Sequence, residues 1–287
     1  MKNNAIKMLG IGLVSSLAFT ACSDQFLEDK KNYDNVNPGI YDYYEGAYGR
    51  VSDAYGWTLP NCNTNANWKF NSTGLADDQA KGTEEYTGFG PFVNPLKELK
   101  SIDSPTVPDY YMGDASNIQA SVYGRIRNIN EIIDGISNSK LDEASKNEFL
   151  GQVYFLRAWC YYQLVKWYGG VPLVKTMVDP TEEAHTPRSS AKECIAFILD
   201  DLQKSADLLR EATGNGGWKS SNDWGRVTTG TALALKGRVL LLWASPLFNR
   251  ANDQSRWDNA YTEMEKDLPI IRACGYGLYE DEVGGQA

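Results

Sequence analysis

Apolar residues recur at steps of three and four in six stretches of this chain, the period of an α-helix packed on one or more sides. The strongest stretch runs from Glu148 to Val174. Phe149, Val153, Leu156, Cys160, Leu164 and Trp167 fall on one face, and Tyr154, Ala158, Tyr161, Val165 and Tyr168 on a second. A helix apolar on two faces is the middle member of a stack. Gly169-Gly170 ends it where no side chain opposes a left-handed turn, and Pro172 prevents re-entry.

The remaining stretches supply its neighbours. Asn37-Pro38 predicts a helix start, followed by Tyr41, Tyr44, Tyr48, Val51 and Tyr55, with Gly56 and Pro60 as the stop. Val122, Ile126, Ile129, Ile133 and Ile136 predict a helix joined to the long one through a cap at Asp142. Ser190 and Glu193 fit a capping box ahead of Ile195, Ile198, Leu199, Leu202, Ala206 and Leu209, with Asp200, Asp201, Lys204 and Asp207 expected in solvent. After the glycines at 214–217, Ala232, Leu235, Val239 and Leu242 predict its partner, ended by Pro246. Trp257, Ala260, Met264, Leu268 and Ile271 open a third pair.

Small residues at expected crossings (Ala158, Ala234, Gly237) make this a mainly α, tetratricopeptide-like repeat stack. The strict consensus is absent, and pair starts near 118, 190 and 257 lie about twice the usual period apart. The repeats are therefore degenerate and broken by loops. Between Trp57 and about Asn117 the period disappears into a segment rich in Asn, Gly, Pro and aromatics. A loop insertion of that length in a compact domain is usually functional.

The N-terminus reads as an export signal. Lys2 and Lys7 precede the uncharged run Met8–Ala21, too short to span a bilayer but suited to a signal peptide over residues 1–21. Phe19-Thr20-Ala21 before Cys22 resembles a lipobox, so Cys22 is the expected lipid attachment point. Residues 22–36 form a polar tether, and residues 37–287 form the helical domain. With 37 acidic against 28 basic residues, the chain is a poor match for nucleic acid.

Four cysteines remain. Cys160 and Cys194 fall on apolar helix faces, whereas a Cys62–Cys274 disulfide stays open. His185, the one histidine, sits in a Pro-flanked loop and reads as a surface residue. No nucleophile elbow, phosphate loop, dinucleotide fingerprint or zinc motif occurs, and no cofactor is expected. Asp77-Asp78 and Glu84-Glu85 read as solvated acids rather than a hydrolytic pair. The Asn61-Cys62-Asn63-Thr64-Asn65 run lacks the carboxylates a hard cation wants, so no metal is expected.

One constellation suggests binding: Trp57, Asn61, Asn63, Asn65, Asn67, Trp68 and Asn71, with Tyr86 and Phe89 beyond. Sugar rings present C–H faces to indoles and hydroxyls to amides, and this segment offers both partners. The bland alternative is that the tryptophans pin the loop and the asparagines satisfy its turns.

Five motifs in order resemble the SusD/RagB family of outer-membrane nutrient-binding lipoproteins. They are the lipobox, Tyr123 to Asn130, the FLRA–YY–YGGVPL run within 148–174, Asp200 to Leu209, and Arg226 to Ala244. The resemblance implies a non-enzymatic surface protein that takes a glycan (in some members a peptide) on loops such as 57–89. It would hand that ligand to a SusC-like TonB-dependent transporter while anchored to the outer membrane through lipid. It also implies a longer chain than this one, so the expectation is a truncated protein lacking a C-terminal half, its last helix exposing apolar surface. A helical adaptor on the transporter, with no ligand contact, is the rival reading, and a surface glycosidase a third.

Overall fold

The computed structural model describes residues 38–59, 121–177, 186–213, 217–218 and 220–277. A 3₁₀ turn at Pro38–Asp42 leads to six α-helices: α1 Tyr44–Thr58, α2 Val122–Ser137, α3 Glu143–Tyr168, α4 Ala191–Thr213, α5 Thr229–Ala244 and α6 Gln254–Ala273. Consecutive helices from α2 onward pack on one another, and α1 packs on both α2 and α3. The expected helical stack is present, with an isolated bridge between Pro172 and Arg188 and no strand among the described residues.

Helix α3 occupies the middle, as its two apolar faces require. Phe149, Val153, Leu156, Ala158, Tyr161, Leu164 and Val165 have no solvent exposure. Asp142 caps its first turn by accepting from the Ser145 amide at 2.8 Å, which holds the carboxyl below its usual range. Gly169 ends it at φ 71°, a conformation that favours glycine. At Gly170 a Cβ would run into the Ser189 carbonyl, so glycine alone lets the two segments meet there. Arg188 then donates to the carbonyls of Gly170 at 2.5 Å and Tyr168 at 2.7 Å, satisfying acceptors that the helix end leaves open.

The Ser190–Glu193 capping box forms as its spacing predicts. Glu193 accepts from the Ser190 amide at 2.8 Å, and Ser190 accepts from the Glu193 amide at 3.2 Å. Two of the three small residues lie at close crossings. Ala158 is fully buried, and a Cβ on Gly237 of α5 would collide with Met264 of α6. Ala234 instead faces solvent. Gly151, which the periodicity did not single out, makes the α3–α4 crossing: a Cβ there would lie 2.7 Å from Leu209.

Four expectations change. The first helix is not continuous from Pro38, because Tyr43 is extended (φ −117°, ψ 135°) between the 3₁₀ turn and α1. That break seats the Tyr41 ring on Gly135 of α2, where its hydroxyl donates to Glu131 at 2.7 Å. Helix α1 also runs through Gly56 to Thr58, so Trp57 belongs to the helix rather than to the loop. Among the isoleucines of α2, Ile132 joins Ile126, Ile129 and Ile136 in the core.

The largest correction is Asp201, which is fully buried rather than solvated. The Arg157 guanidinium donates to it twice, at 2.7 and 2.8 Å, from the middle of α3. Arg157 donates also to Asn130 of α2 and to the Lys175 carbonyl, both at 2.9 Å. Phe197 and Tyr154 cover its faces at 5.0 and 5.3 Å from their ring centroids. Burial pushes the Asp201 carboxyl up, while the hydrogen bonds and charge of Arg157 pull it back.

Removing one member leaves the other charge buried and unpaired. Asp201→Ala should therefore destabilise the fold by about 3–5 kcal/mol. Arg157→Met/Asp201→Leu should recover part of that loss in denaturant titrations. A single variant as stable as the parent would show that the pair does not organise the core.

Candidate functional site

Most of the predicted sugar-binding constellation, together with Cys22, lies outside the described residues: Asn61, Asn63, Asn65, Asn67, Trp68, Asn71, Tyr86 and Phe89. Cys62 and His185 do as well, and Cys274 is a free, half-buried thiol. Trp57 is described, and it packs along its own helix. The Arg50 guanidinium carbon sits 5.4 Å from its ring centroid, and Arg50 in turn pairs with Glu131 of α2 at 2.7 Å. Trp57 therefore helps to fasten α1 to α2.

A different set of aromatics surrounds a cleft of about 720 Å³. Phe155 and Trp159 come from α3, and Trp218, Trp224 and Arg226 come from the segment before α5. Thr228 and Thr231 come from the start of α5, and Cys274, Gly275 and Tyr276 from the end of α6. Leu59 also lines it, so the segment carrying the predicted constellation leaves α1 at the rim of this cleft.

Local chemistry fixes each wall. Thr228 caps α5 by accepting from the Thr231 amide at 3.2 Å. Its hydroxyl also lies 2.9 Å from that of Tyr276, which is 3.3 Å from Thr231 Oγ1. Glycine at 230 makes room for the tyrosine, since a Cβ there would sit 2.8 Å from its ring. The Trp218 indole donates to the Val227 carbonyl at 3.1 Å. Trp224 is 74% exposed and its indole N–H has no partner among the described residues.

Arg226 braces the floor. It donates to Gln152 at 3.1 Å and to Ser52 at 2.7 Å, approaches Asp223 to 3.1 Å, and lies 4.1 Å from the Tyr48 ring centroid. Tyr55 reaches the same place, donating to Gln152 at 3.0 Å and accepting from the Val227 amide at 2.9 Å. Burial raises its hydroxyl above the ordinary tyrosine value. Helices α1 and α3 thus hold the segment that carries Trp224. Among the described lining residues there is no carboxylate.

The cleft's aromatics come from three separate stretches between Phe155 and Tyr276, which is why sequence clustering passed over them. The available signal was local. Gly217-Trp218 and Trp224-Gly225 bracket a turn just ahead of a capping threonine, placing large rings at a helix mouth.

Helical-repeat architecture with an aromatic cleft at three helix ends defines a scaffold of the tetratricopeptide-like class. A SusD-like family model, described as starch-binding and associating with the outer membrane, matches residues 95–239, half of the chain. A SusD-like protein of Bacteroides ovatus is 22% identical over 93% of this chain and 43% of its own length. The crystal structure of a SusD-like protein from Bacteroides fragilis is 25% identical and superposes with a TM-score of 0.57, over 85% of this chain and 41% of that one. A laminarin-binding SusD-like protein is 21% identical with a TM-score of 0.51, over 72% of this chain and 42% of that one. The chain belongs to the SusD/RagB family. It spans about two fifths of the length of these relatives.

Tyr276 and Cys274 follow the end of α6, and an ionic cluster docks that helix on α5. Lys236, mostly buried in α5, lies 2.9 Å from Glu263 and 3.0 Å from Asp267 of α6. Hydrogen bonds from Lys266 and Lys236 pull the Glu263 carboxyl down to about 2 from the ordinary 4.5. A carboxyl depressed on folding stabilises the fold while ionised. That contribution is complete above about 4.5 and disappears as the pH falls towards about 2. The melting temperature of Glu263→Gln should therefore fall below that of the parent at pH 6, with the two converging near pH 2. A gap independent of pH would show that the bonds to Glu263 are not what is lost.

Proposed function

We propose that this chain is the ligand-binding part of a cell-surface lipoprotein that captures oligosaccharides. It would pass them to a SusC-like TonB-dependent transporter in the outer membrane. The observation that carries the reading is the exposed Trp224 face beside Trp159, Tyr276 and two threonine hydroxyls in one cleft. Aromatic faces match the C–H face of a sugar ring, and the hydroxyls and free indole N–H match its rim. Membership of the SusD/RagB family and likeness to a protein named for laminarin binding support a glycan over a peptide.

Residues 1–21 are proposed as the signal peptide, Cys22 as the lipid attachment point, 22–36 as the tether and 37–287 as the helical domain. Attachment would then rest on lipid: no helix among the described residues is long and apolar enough to cross a membrane. Trp57, Asn61, Asn63, Asn65, Trp68, Asn71 and Tyr86 remain proposed contacts, now with Trp57 in a bracing role and the others following from Leu59 at the cleft rim. We read the cleft as binding without turnover, since hydrolysis of a glycosidic bond calls on paired carboxyl groups.

One observation favours the adaptor reading. Leu241, Trp257, Tyr261 and Met264 line an apolar groove between α5 and α6, with Leu241 50% and Tyr261 67% exposed. The two readings separate on ligand binding. Purified protein is titrated calorimetrically with a panel of neutral and acidic polysaccharides, and Trp224→Ala is compared with the parent. Loss of one stacked indole should weaken binding by about 1–3 kcal/mol. Melting should stay unchanged, because the side chain is mostly in solvent. A parent that binds no member of the panel would favour the adaptor, and unchanged binding by the variant would remove Trp224 from the contact.

A further inference from the structure

We infer that the cleft continues along α3 and α5 into a cationic end, built by Lys166 and Arg238, that selects glycans bearing a carboxylate or a sulfate ester. The inference rests on reading the cleft as a glycan site.

Phe155, Trp159, Tyr162 and Lys166 follow one another at steps of four, three and four, and so share one face of α3 over about 16 Å. From Trp159 onward the contacts along that face follow one another, through a Tyr162 that is itself buried. The Trp159 and Tyr162 ring centroids are 6.0 Å apart, and Lys166 Nζ lies 6.0 Å from the Tyr162 centroid and 5.7 Å from that of Trp167. Helix α5 runs a second rail. Thr231 lines the cleft and Arg238 lies two turns further on the same face, with the exposed Ala234 between them. Both α3 and α5 pack on α4, so the two helices run alongside each other beyond the cleft.

Charge gives this run its preference. The chain carries 37 acids against 28 bases, yet no Asp or Glu occurs from Phe149 to Tyr168 or from Thr229 to Ala244. Neither Lys166 nor Arg238 makes an ion pair or a side-chain hydrogen bond among the described residues. They are near enough to repel: burial first, and then the Arg238 charge, lower the Lys166 ammonium from its ordinary value. Two neighbouring cations without a carboxylate, one of them half-buried on aromatic faces, are stabilised by an anion placed between them. An oligosaccharide stacked on Trp224 and Trp159 with an acidic substituent further along would supply it.

The test uses the whole chain and matched pairs of ligands. These are polygalacturonate against its fully methyl-esterified form, and sulfated against unmodified laminarin. At low salt the charged member of at least one pair should bind ten times or more tighter than its neutral partner, and which pair responds tells carboxylate from sulfate. That preference should shrink as salt rises. It should disappear in Lys166→Met/Arg238→Gln, which should bind the neutral member unchanged, and persist in Lys166→Arg. Neutral members bound as well as charged ones would overturn the inference and leave the glycan site standing. A preference that survives the double variant would overturn it too. Binding of no member of either pair would remove the glycan reading and this inference with it.

Discussion

The paired charges of Arg157 and Asp201 are the constraint around which the described helices are arranged. A guanidinium and a carboxylate enter the interior only if nearly every donor and acceptor is answered. Asp201 on α4, Asn130 on α2 and the Lys175 carbonyl beyond α3 answer them. Asn130 then donates to the Val174 and Thr176 carbonyls at 3.0 and 3.2 Å, and the Tyr161 hydroxyl accepts from the Val174 amide at 2.8 Å. Three helices and an irregular segment share one network, so the register of each is set by the others. Hydrophobic packing supplies most of the stabilisation but is non-directional, whereas a bidentate ion pair adds a fixed geometry.

Arg226 does at the cleft what Arg157 does in the core. It gathers Gln152 of α3, Ser52 and Tyr48 of α1, and Asp223 of the turn before α5, and so fixes the segment from which Trp224 projects. The Lys236–Glu263–Asp267 cluster holds α6 against α5, and Tyr276 beyond that helix reaches Thr228 on the opposite wall. A rigid scaffold with exposed rings between two ionic clamps suits recognition of a stiff ligand, because little side-chain entropy is lost on contact. Cys160 lies outside this picture: burial pushes its thiol up to about 12, which makes it an inert core residue.

Much of the fold was legible because it follows from periodicity and capping. The two apolar faces of α3, its stop at Gly169, the Asp142 cap and the Ser190–Glu193 box are short-range features, and each is present. Asp201 was misread for the complementary reason. An acid in the run Asp200-Asp201 looks solvated until Arg157, 44 positions earlier, is placed opposite. Ala234 was misread similarly: a small residue marks a crossing only if another helix lies over it, and Ala234 is exposed, with no helix over it among the described residues. The cleft joins residues from Leu59 to Tyr276, so no local pattern announced it. Sequence clustering pointed instead to the segment that begins at its rim, with Trp57 engaged on Arg50.

The central claim is that the ligand sits between Trp159, Trp224 and Tyr276. Eight tryptophans make it directly testable. The chain is labelled with 5-fluorotryptophan, resonances are assigned by single Trp→Phe variants, and a glycan found to bind is titrated while fluorine spectra are recorded. The account predicts that Trp224 and Trp159 shift together, with the same saturation, while Trp243 and Trp257 stay in place. Shifts confined to Trp57 and Trp68, with Trp224 and Trp159 unmoved at saturation, would contradict it.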